Sequence, residues 1–489
     1  MKQQLYIAGG FCDATDGRTF EVSNPSTQQG FAQVADAGLG DLERAVGAAA
    51  QAFPQWSGLG PSERAACLLR AAQVAEKRKP DLIKALVEEA GSWIGKASYE
   101  ADTVVKFLRY AATTPYQVTG QTLPSDLDRM SLVVRKPLGA IAVISPWNFP
   151  ALLSTRGIAT ALAVGNTIVL KPAEDTPYSG GGFFAEVFAE AGVPAGAFNV
   201  LSCSRQNVAA LGEALIADRR IRGVSFTGST GVGRVIGRLA GEHFKKCCLE
   251  LGGKDALLVL DDADLKQAVH AATFGAFMHH GQICMATKRI LVHADVAEEF
   301  TRRFAANVAR LRAGDPTDPG KVIGPVINAR QLARITEHLQ DAVEKGAEVR
   351  TGGTHQGLFH EATVLAGVNA DMRIYHEETF GPVVPVITIA SDEEAIAIAN
   401  ESDYGLSAGI ITRDQWRGVH IAERLQTGMA HINDSSVNDE PWIPFGGVKH
   451  SGVGRHGGIQ SIEAFTETRW ITVPRTARKY PPPFMGEGS

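Results

Sequence analysis

Gly223-Val224-Ser225-Phe226-Thr227-Gly228-Ser229-Thr230-Gly231-Val232-Gly233 runs from a short strand-like segment through glycines into a helical pattern over 231–244. Such a turn lets backbone N–H groups approach an anion, and a helix N-terminus favours negative charge there. The glycines at 228, 231 and 233 do not have the G-x-G-x-x-G spacing, and no Lys-Ser or Lys-Thr follows to make a Walker A loop. The stretch therefore reads either as a phosphate site or as a tight strand-to-helix turn. Its neighbours repeat the texture. Strand-like runs at 140–144, 167–170, 198–201 and 247–249 alternate with helical patterns at 152–164, 176–191 and 207–217. Strand–helix–strand units of this length imply right-handed crossovers and a parallel sheet covered on both faces. Ligands of such sheets sit at the carboxyl ends of the strands, so function is to be sought in the loops that follow them.

A second alternating region has strands at 256–260, 289–292, 383–389 and 429–432 and helices at 297–311 and 329–345, which reads as a second α/β domain. Upstream, 41–111 is helical: Asp41 is placed to cap 42–53, Ser62 to cap a second helix ending at Lys79-Pro80, and a third begins at Asp81. The tail at 471–473 reads as an edge or intersubunit strand, followed by a loose end around Pro481-Pro482-Pro483.

Composition bounds the function. The 489 residues give about three domains by length, and 44% hydrophobic with 21% charged is globular. Against 53 acids stand 48 Lys plus Arg, a net charge of −5 that offers no footprint for nucleic acid or an anionic membrane. The six cysteines (Cys12, Cys67, Cys203, Cys247, Cys248, Cys284) form no C-x-x-C pair and are too sparse for a disulfide scaffold. The N-terminus has no apolar core after Lys2, and the most apolar stretch, 141–170, is broken by Pro146, Asn148, Pro150, Arg156 and Asn166. A cytoplasmic protein is expected. The unusual entry is glycine, with 52 copies.

Four constellations follow strands. Lys171-Pro172-Ala173-Glu174 offers a cation and a carboxylate that would bracket ribose hydroxyls, or would make an ordinary surface ion pair. Ser145-Pro146-Trp147-Asn148-Phe149-Pro150 holds an amide in a rigid apolar frame, as an oxyanion donor requires, or as a satisfied buried Asn would have it. Glu250, in Leu249-Glu250-Leu251-Gly252-Gly253-Lys254, is an acid in an apolar run, either paired or raised in pKa as a general base needs. Cys284, in Gly281-Gln282-Ile283-Cys284-Met285, is a nucleophile candidate or an inert core thiol. His279-His280 are adjacent and point apart, so no metal is expected.

Together these motifs resemble the aldehyde dehydrogenase superfamily. Its signatures stand in order: Pro146 to Pro150, Lys171 to Glu174, Phe226-Thr227-Gly228-Ser229-Thr230, Leu249 to Lys254, Gly281 to Cys284, Glu378-Thr379-Phe380-Gly381-Pro382 and Pro444-Phe445-Gly446-Gly447. The resemblance implies two parallel-sheet α/β domains, a Rossmann-like cofactor domain and a catalytic domain, with a small oligomerisation β element. It assigns 1–119 and 139–251 to cofactor binding, 252–453 to catalysis, and 120–138 with 454–489 to assembly into a homodimer or homotetramer. Cys284 is then the nucleophile, Asn148 the oxyanion donor and Glu250 the base that activates water. Lys171 and Glu174 would bind the adenosine ribose, Ser229 the pyrophosphate and Glu378 the nicotinamide ribose. Phe380 would pack near the nicotinamide, with Ser145, Pro146, Trp147, Gly228, Val232, Leu251 and Gly252 around the cofactor. The acid at Glu174 favours NAD, with NADP possible as a second cofactor. Relatives that pass the acyl group to coenzyme A generally lack the acid at Glu250, so hydrolysis is expected.

Substrate class is read from Met278 to Met285 and His431 to Pro441, which look most like the benzaldehyde, vanillin and salicylaldehyde dehydrogenase branch. Phe149, Leu153, Ile283, Met285, Trp442 and Phe445 would line a flat apolar pocket, or are plain core. Arg156 departs from the aromatic residue many aliphatic-aldehyde members carry. It either hydrogen-bonds a ring hydroxyl or pairs with an acid across a domain boundary. The competing readings are an aliphatic aldehyde or semialdehyde enzyme, with Arg156 on a carboxylate, and a catalytically silent scaffold. The scaffold requires a broken site, whereas Cys284, Glu250 and Asn148 are intact.

Overall fold

The computed structural model describes residues 2–478 and Tyr480; Pro481-Pro482-Pro483, expected to form a loose end, lie outside the described residues. Two sheets organise it. In the first, Lys246–Glu250, Ile221–Thr227, Ala140–Ile144, Thr167–Lys171 and Phe198–Val200 lie side by side, all parallel. Gly452–Val453 adds an antiparallel edge on one side, and Leu5–Ile7 with Gly10–Cys12 on the other. The chain leaves Ala140–Ile144 in one direction for Thr167–Lys171 and Phe198–Val200, then returns to its other side for Ile221–Thr227. That reversal is the switch point where a crevice opens at the strands' carboxyl ends. Both the turn after Thr227 and the loop after Ile144 end there.

The second sheet sets Thr363–Ala366, Val383–Ile389, Arg289–His293, Ala256–Val259, Ala408–Ile411 and His431–Ile432 in parallel, with Glu348–Thr351 antiparallel at one edge. Each sheet carries an apolar core on both faces, which is why their strands read as near-continuous Val/Ile/Leu/Ala runs. A fifth apolar cluster, including Phe107, Phe149, Leu153, Ile283, Met285 and Phe445, joins the two halves. Thr466–Pro474 pairs along its whole length with Arg129–Pro137, beside Gln121–Leu123. The division expected at 453 meets two exceptions: Gly452–Val453 is a strand of the first sheet, and Ile462 and Phe465 of helix Gly458–Phe465 belong to its core.

Two expected helix starts are corrected. The first helix is Leu39–Gly58, not 42–53: Gly38 precedes it, Asp41 is its third residue and accepts the Gly38 N–H (3.0 Å), and the helix continues through Pro54. The second, Pro61–Lys77, starts behind Gly60, whose N–H goes to Glu63 (2.7 Å), so Ser62 is not its cap. In both, the acid three residues on reaches back to a residue without a side chain. Among the described residues no helix is long and apolar enough to cross a membrane.

Candidate active site

Helix Leu265–Phe277 ends in a turn with three consecutive residues in the left-handed region: His279 (φ 47°), His280 (φ 59°) and Gly281 (φ 70°). A side chain at Gly281 would place its Cβ 2.3 Å from the Gly381 carbonyl oxygen, so only glycine fits. The histidines are held there by their surroundings. Gly324 N–H donates to His280 Nδ1 (2.8 Å), which leaves the proton on Nε2 to donate to the Gly91 carbonyl (3.2 Å). His279 stands edge-on to Phe149, 5.5 Å between ring centres. Burial pulls both below the ordinary histidine range, His280 to about 4, so the rings are neutral. Their work is to shape the turn that delivers Cys284.

Cys284 faces a cavity of about 780 Å³. Burial pushes its thiol up to about 12; the Lys288 and Arg156 cations act against this, and Asp255 and Glu250 with it. Beside the turn, Asn148 Nδ2 donates to the Gln282 carbonyl (2.9 Å), two residues from the thiol. That contact takes one amide hydrogen and leaves the other for a ligand.

The Asn148 loop is fixed from beneath by a fully buried ion pair. Lys96 Nζ donates to Glu100 Oε2 (2.5 Å), to the Asn148 carbonyl (2.8 Å) and to Ser92 Oγ (3.0 Å). Glu100 Oε1 accepts the Ala151 and Leu152 N–H groups (2.9 and 3.0 Å), capping helix Pro150–Ala163 from outside its own sequence. Pro150 takes the first helical position, where its missing N–H is no loss.

Glu250 ends strand Lys246–Glu250, 2% exposed, and neither carboxylate oxygen has a hydrogen-bond partner among the described residues. Burial raises it to about 8, with Arg156 and Arg455 acting to lower it. Gly446 (φ +150°) leaves the space in front of it: a Cβ there would come 2.5 Å from Glu250 Oε1.

Most of the remaining residues follow strands of the first sheet, and Glu378 and Phe380 reach them from the other half of the chain. Ser229 opens helix Thr230–Glu242 without its side chain capping it, so first-turn N–H groups stay available to an anion. Half-exposed Val232 lies in that turn. Lys171 Nζ lies 3.7 Å from Glu174 Oε2, and Arg205 reaches the other Glu174 oxygen (3.4 Å). Buried Ser145 accepts from Ser154 (2.7 Å) ahead of Pro146 and Trp147, and Trp147 meets Phe380 edge-on at 5.5 Å. Phe380 itself is left-handed (φ 57°). Glu378 Oε1 accepts the Gly253 N–H (3.1 Å), in the turn that carries Leu251 and Gly252.

The profile of the aldehyde dehydrogenase family matches residues 11–471. The chain belongs to that family. It is 45% identical over 478 residues to a vanillin dehydrogenase of Pseudomonas fluorescens, covering 98% of this chain and 99% of the relative. It is 41% identical over 479 residues to an NAD⁺-specified benzaldehyde dehydrogenase of Pseudomonas putida, covering 95% and 98%. The solved salicylaldehyde dehydrogenase of Pseudomonas putida G7, in complex with salicylaldehyde, superposes with a TM-score of 0.96 at 41% identity, covering 98% of this chain and all of that one. As a member of the family the protein is an oxidoreductase of aldehydes that uses a nicotinamide dinucleotide.

The cavity wall of this aldehyde dehydrogenase corrects one expectation. Phe149, Leu153, Arg156, Ile283, Met285 and Phe445 line it, but Trp442 does not: it is 56% exposed and packs on Tyr110. Arg156 lines the cavity and pairs with an acid, as the second reading of its role has it. Its Nη2 makes a short contact to the buried Asp439 carboxylate and its guanidinium lies 3.7 Å above the Phe445 ring, while Nη1 has no hydrogen-bond partner among the described residues. Sequence reasoning missed Asp439, Lys96, Glu100 and Lys288. The i,i+4 spacing of Lys96 and Glu100 was visible, but the same spacing marks any exposed helix. Asp439 lay inside the quoted 431–441 stretch, where nothing distinguished it from the acids beside it.

Proposed function

We propose that the protein oxidises an aromatic aldehyde to its carboxylic acid, with Cys284, Asn148 and Glu250 as the catalytic groups. The observation that carries this is the cavity: one thiol opens on a large space walled by Phe149, Leu153, Ile283, Met285 and Phe445. The Cys284 thiolate attacks the aldehyde carbon to form a thiohemiacetal. Its oxyanion takes the free Asn148 amide hydrogen and the Cys284 backbone N–H. Loss of hydride leaves a thioester on Cys284, and Glu250 takes a proton from the water that hydrolyses it. A carboxylate buried without partners has high proton affinity, so the fraction ready to act as base, and deacylation with it, rises with pH toward about 8. The binding energy of the aromatic ring comes from the apolar wall, and Arg156 in that wall supplies one polar anchor for a ring hydroxyl. Pairing with Asp439 neutralises Arg156, which argues against its capture of a substrate carboxylate.

Lys171 and Glu174 hold the adenosine ribose in this reading, the Ser229 helix terminus with Gly228 and Val232 the pyrophosphate, and Glu378 the nicotinamide ribose, with Phe380 and Trp147 against the ring. NAD, when bound, supplies the hydride acceptor. An acid at Glu174 disfavours a 2′-phosphate, so NAD is preferred. Residues 1–119 and 139–251 serve the cofactor, joined by the 452–465 segment, and 252–453 otherwise serves catalysis. The exposed strand Thr466–Pro474 and the Gln121–Leu123 hairpin serve assembly into a homodimer or homotetramer, supported by exposed Leu123, Met130, Trp470 and Val473. All six cysteines are free, which supports a cytoplasmic setting.

The test is NADH absorbance with benzaldehyde, hydroxybenzaldehydes, aliphatic aldehydes and a semialdehyde. Aromatic aldehydes are expected to give the highest kcat/KM, and Cys284→Ala to abolish turnover. A preference for the semialdehyde, or an active Cys284→Ala enzyme, overturns the proposal.

A further inference from the structure

Lys288 lies four residues beyond Cys284, buried, just before strand Arg289–His293. Its ammonium makes a short contact to the Cys284 carbonyl oxygen and lies 3.1 Å from Asp255 Oδ2 and 3.5 Å from Glu378 Oε1. Three separate segments therefore meet at one cation: the nucleophile loop, the turn that follows Glu250, and the Glu378 loop. Each anion is itself anchored. Asp255 Oδ1 accepts the Ser407 N–H (2.6 Å), and Glu378 Oε1 accepts the Gly253 N–H (3.1 Å). The Asp255 carbonyl closes the unit by accepting the Lys288 and Arg289 N–H groups (2.9 and 3.1 Å). A buried ammonium with such partners is immobile and stays charged.

We infer that Lys288 is a positioning residue for the nucleophile: it clamps the Cys284 loop and supplies the fixed positive charge that favours the thiolate. The inference rests on Cys284 being the nucleophile. The charged groups that face the thiol are Lys288 and Arg156, which favour its ionisation, and Asp255 and Glu250, which oppose it. Arg156 is already matched by Asp439, which leaves Lys288 as the cation tied to the loop itself. A thiol whose pKa is raised reacts only through the small fraction ionised, so a nearby fixed charge sets its rate.

The experiment is alkylation of the enzyme by iodoacetamide between about pH 6 and pH 10, without aldehyde or cofactor, with the label located by mass spectrometry. Lys288→Gln is expected to slow labelling of Cys284 about tenfold at pH 8, moving the profile about one unit upward, since one unit is tenfold in thiolate. Lys288→Arg is expected to restore most of the rate. If Lys288→Gln does not fold, Lys288→Gln with Asp255→Asn removes cation and anion together. The profile then still moves upward, by less, because Lys288 outweighs Asp255 at the thiol. An unmoved or downward profile in either variant, or Lys288→Arg behaving like Lys288→Gln, overturns the inference. Because labelling needs no substrate, an unmoved profile in an enzyme that oxidises aromatic aldehydes sinks this inference alone. A shifted profile in a protein that oxidises none of them sinks only the substrate reading.

Discussion

Two buried ion pairs contribute to the cavity wall and are built to different standards. In Lys96–Glu100 every polar atom is used: the ammonium has three acceptors and the carboxylate accepts from the ammonium and two backbone N–H groups. In Arg156–Asp439 the guanidinium makes one ion-pair contact and lies over the Phe445 ring, while Arg156 Nη1 and Asp439 Oδ1 have no hydrogen-bond partner among the described residues. Buried polar groups without partners are disfavoured by folding, so they persist where something else uses them. The first pair is scaffold for the oxyanion loop. The second is an incomplete network at the cavity wall, which the proposed function assigns to a hydroxylated ring. Glu250 extends the series to a carboxylate with no partner at all.

The largest effect should come from the emptiest member. Glu250→Gln is expected to lower steady-state turnover about 10²–10⁴-fold, the usual range for losing a positioned base. The thioester should then accumulate, visible as a burst of NADH followed by slow turnover. The stability sign is opposite. Between the ordinary carboxylate range and about 8, folded Glu250 holds a proton that the unfolded chain has released. Wild-type stability therefore falls as pH rises through that window. Glu250→Gln should melt above wild type at pH 9 and level with it at pH 4; a lower melting temperature at both would place the carboxylate in a stabilising contact.

The satisfied pair should respond in stability. Glu100→Gln leaves Lys96 charged and buried against a weaker acceptor, expected to cost about 3–5 kcal/mol in denaturant unfolding. If the loss is under about 1 kcal/mol, the contrast between the two pairs disappears. Arg156→Ala should act on specificity instead, lowering kcat/KM for hydroxybenzaldehydes about tenfold more than for benzaldehyde, the scale of one buried hydrogen bond. Equal losses on both substrates would make Arg156 scaffold like Lys96. Smallest, Glu174→Gln lies outside both pairs and should reduce the NAD over NADP preference a few-fold, about 1 kcal/mol, with aldehyde KM unchanged. An unchanged cofactor ratio would remove Glu174 from the ribose position.

Much of this was legible before any coordinate. The alternation of strand and helix patterns is local, and so are the turn at Thr227–Gly233, the loop at Ser145–Pro150 and the run at Leu249–Lys254. Each carries its information within a few residues, because backbone N–H groups, prolines and glycines act on their immediate neighbours. That local grammar marked two α/β halves and the candidates Cys284, Asn148 and Glu250, and the family resemblance of the ordered motifs gave those candidates their roles. The tertiary structure decided what completes them. Lys96 and Glu100 act on a loop about fifty residues away in sequence, Asp439 on an arginine 283 residues away, and Lys288 between segments separated by more than a hundred. Trp442 shows the converse: its residue type and its place beside a motif fitted a pocket, yet its position in space is at the surface. Burial and partnership depend on which surfaces meet. An ion pair at helical spacing, or an aromatic beside a motif, reads the same in sequence whether it faces water, core or cavity.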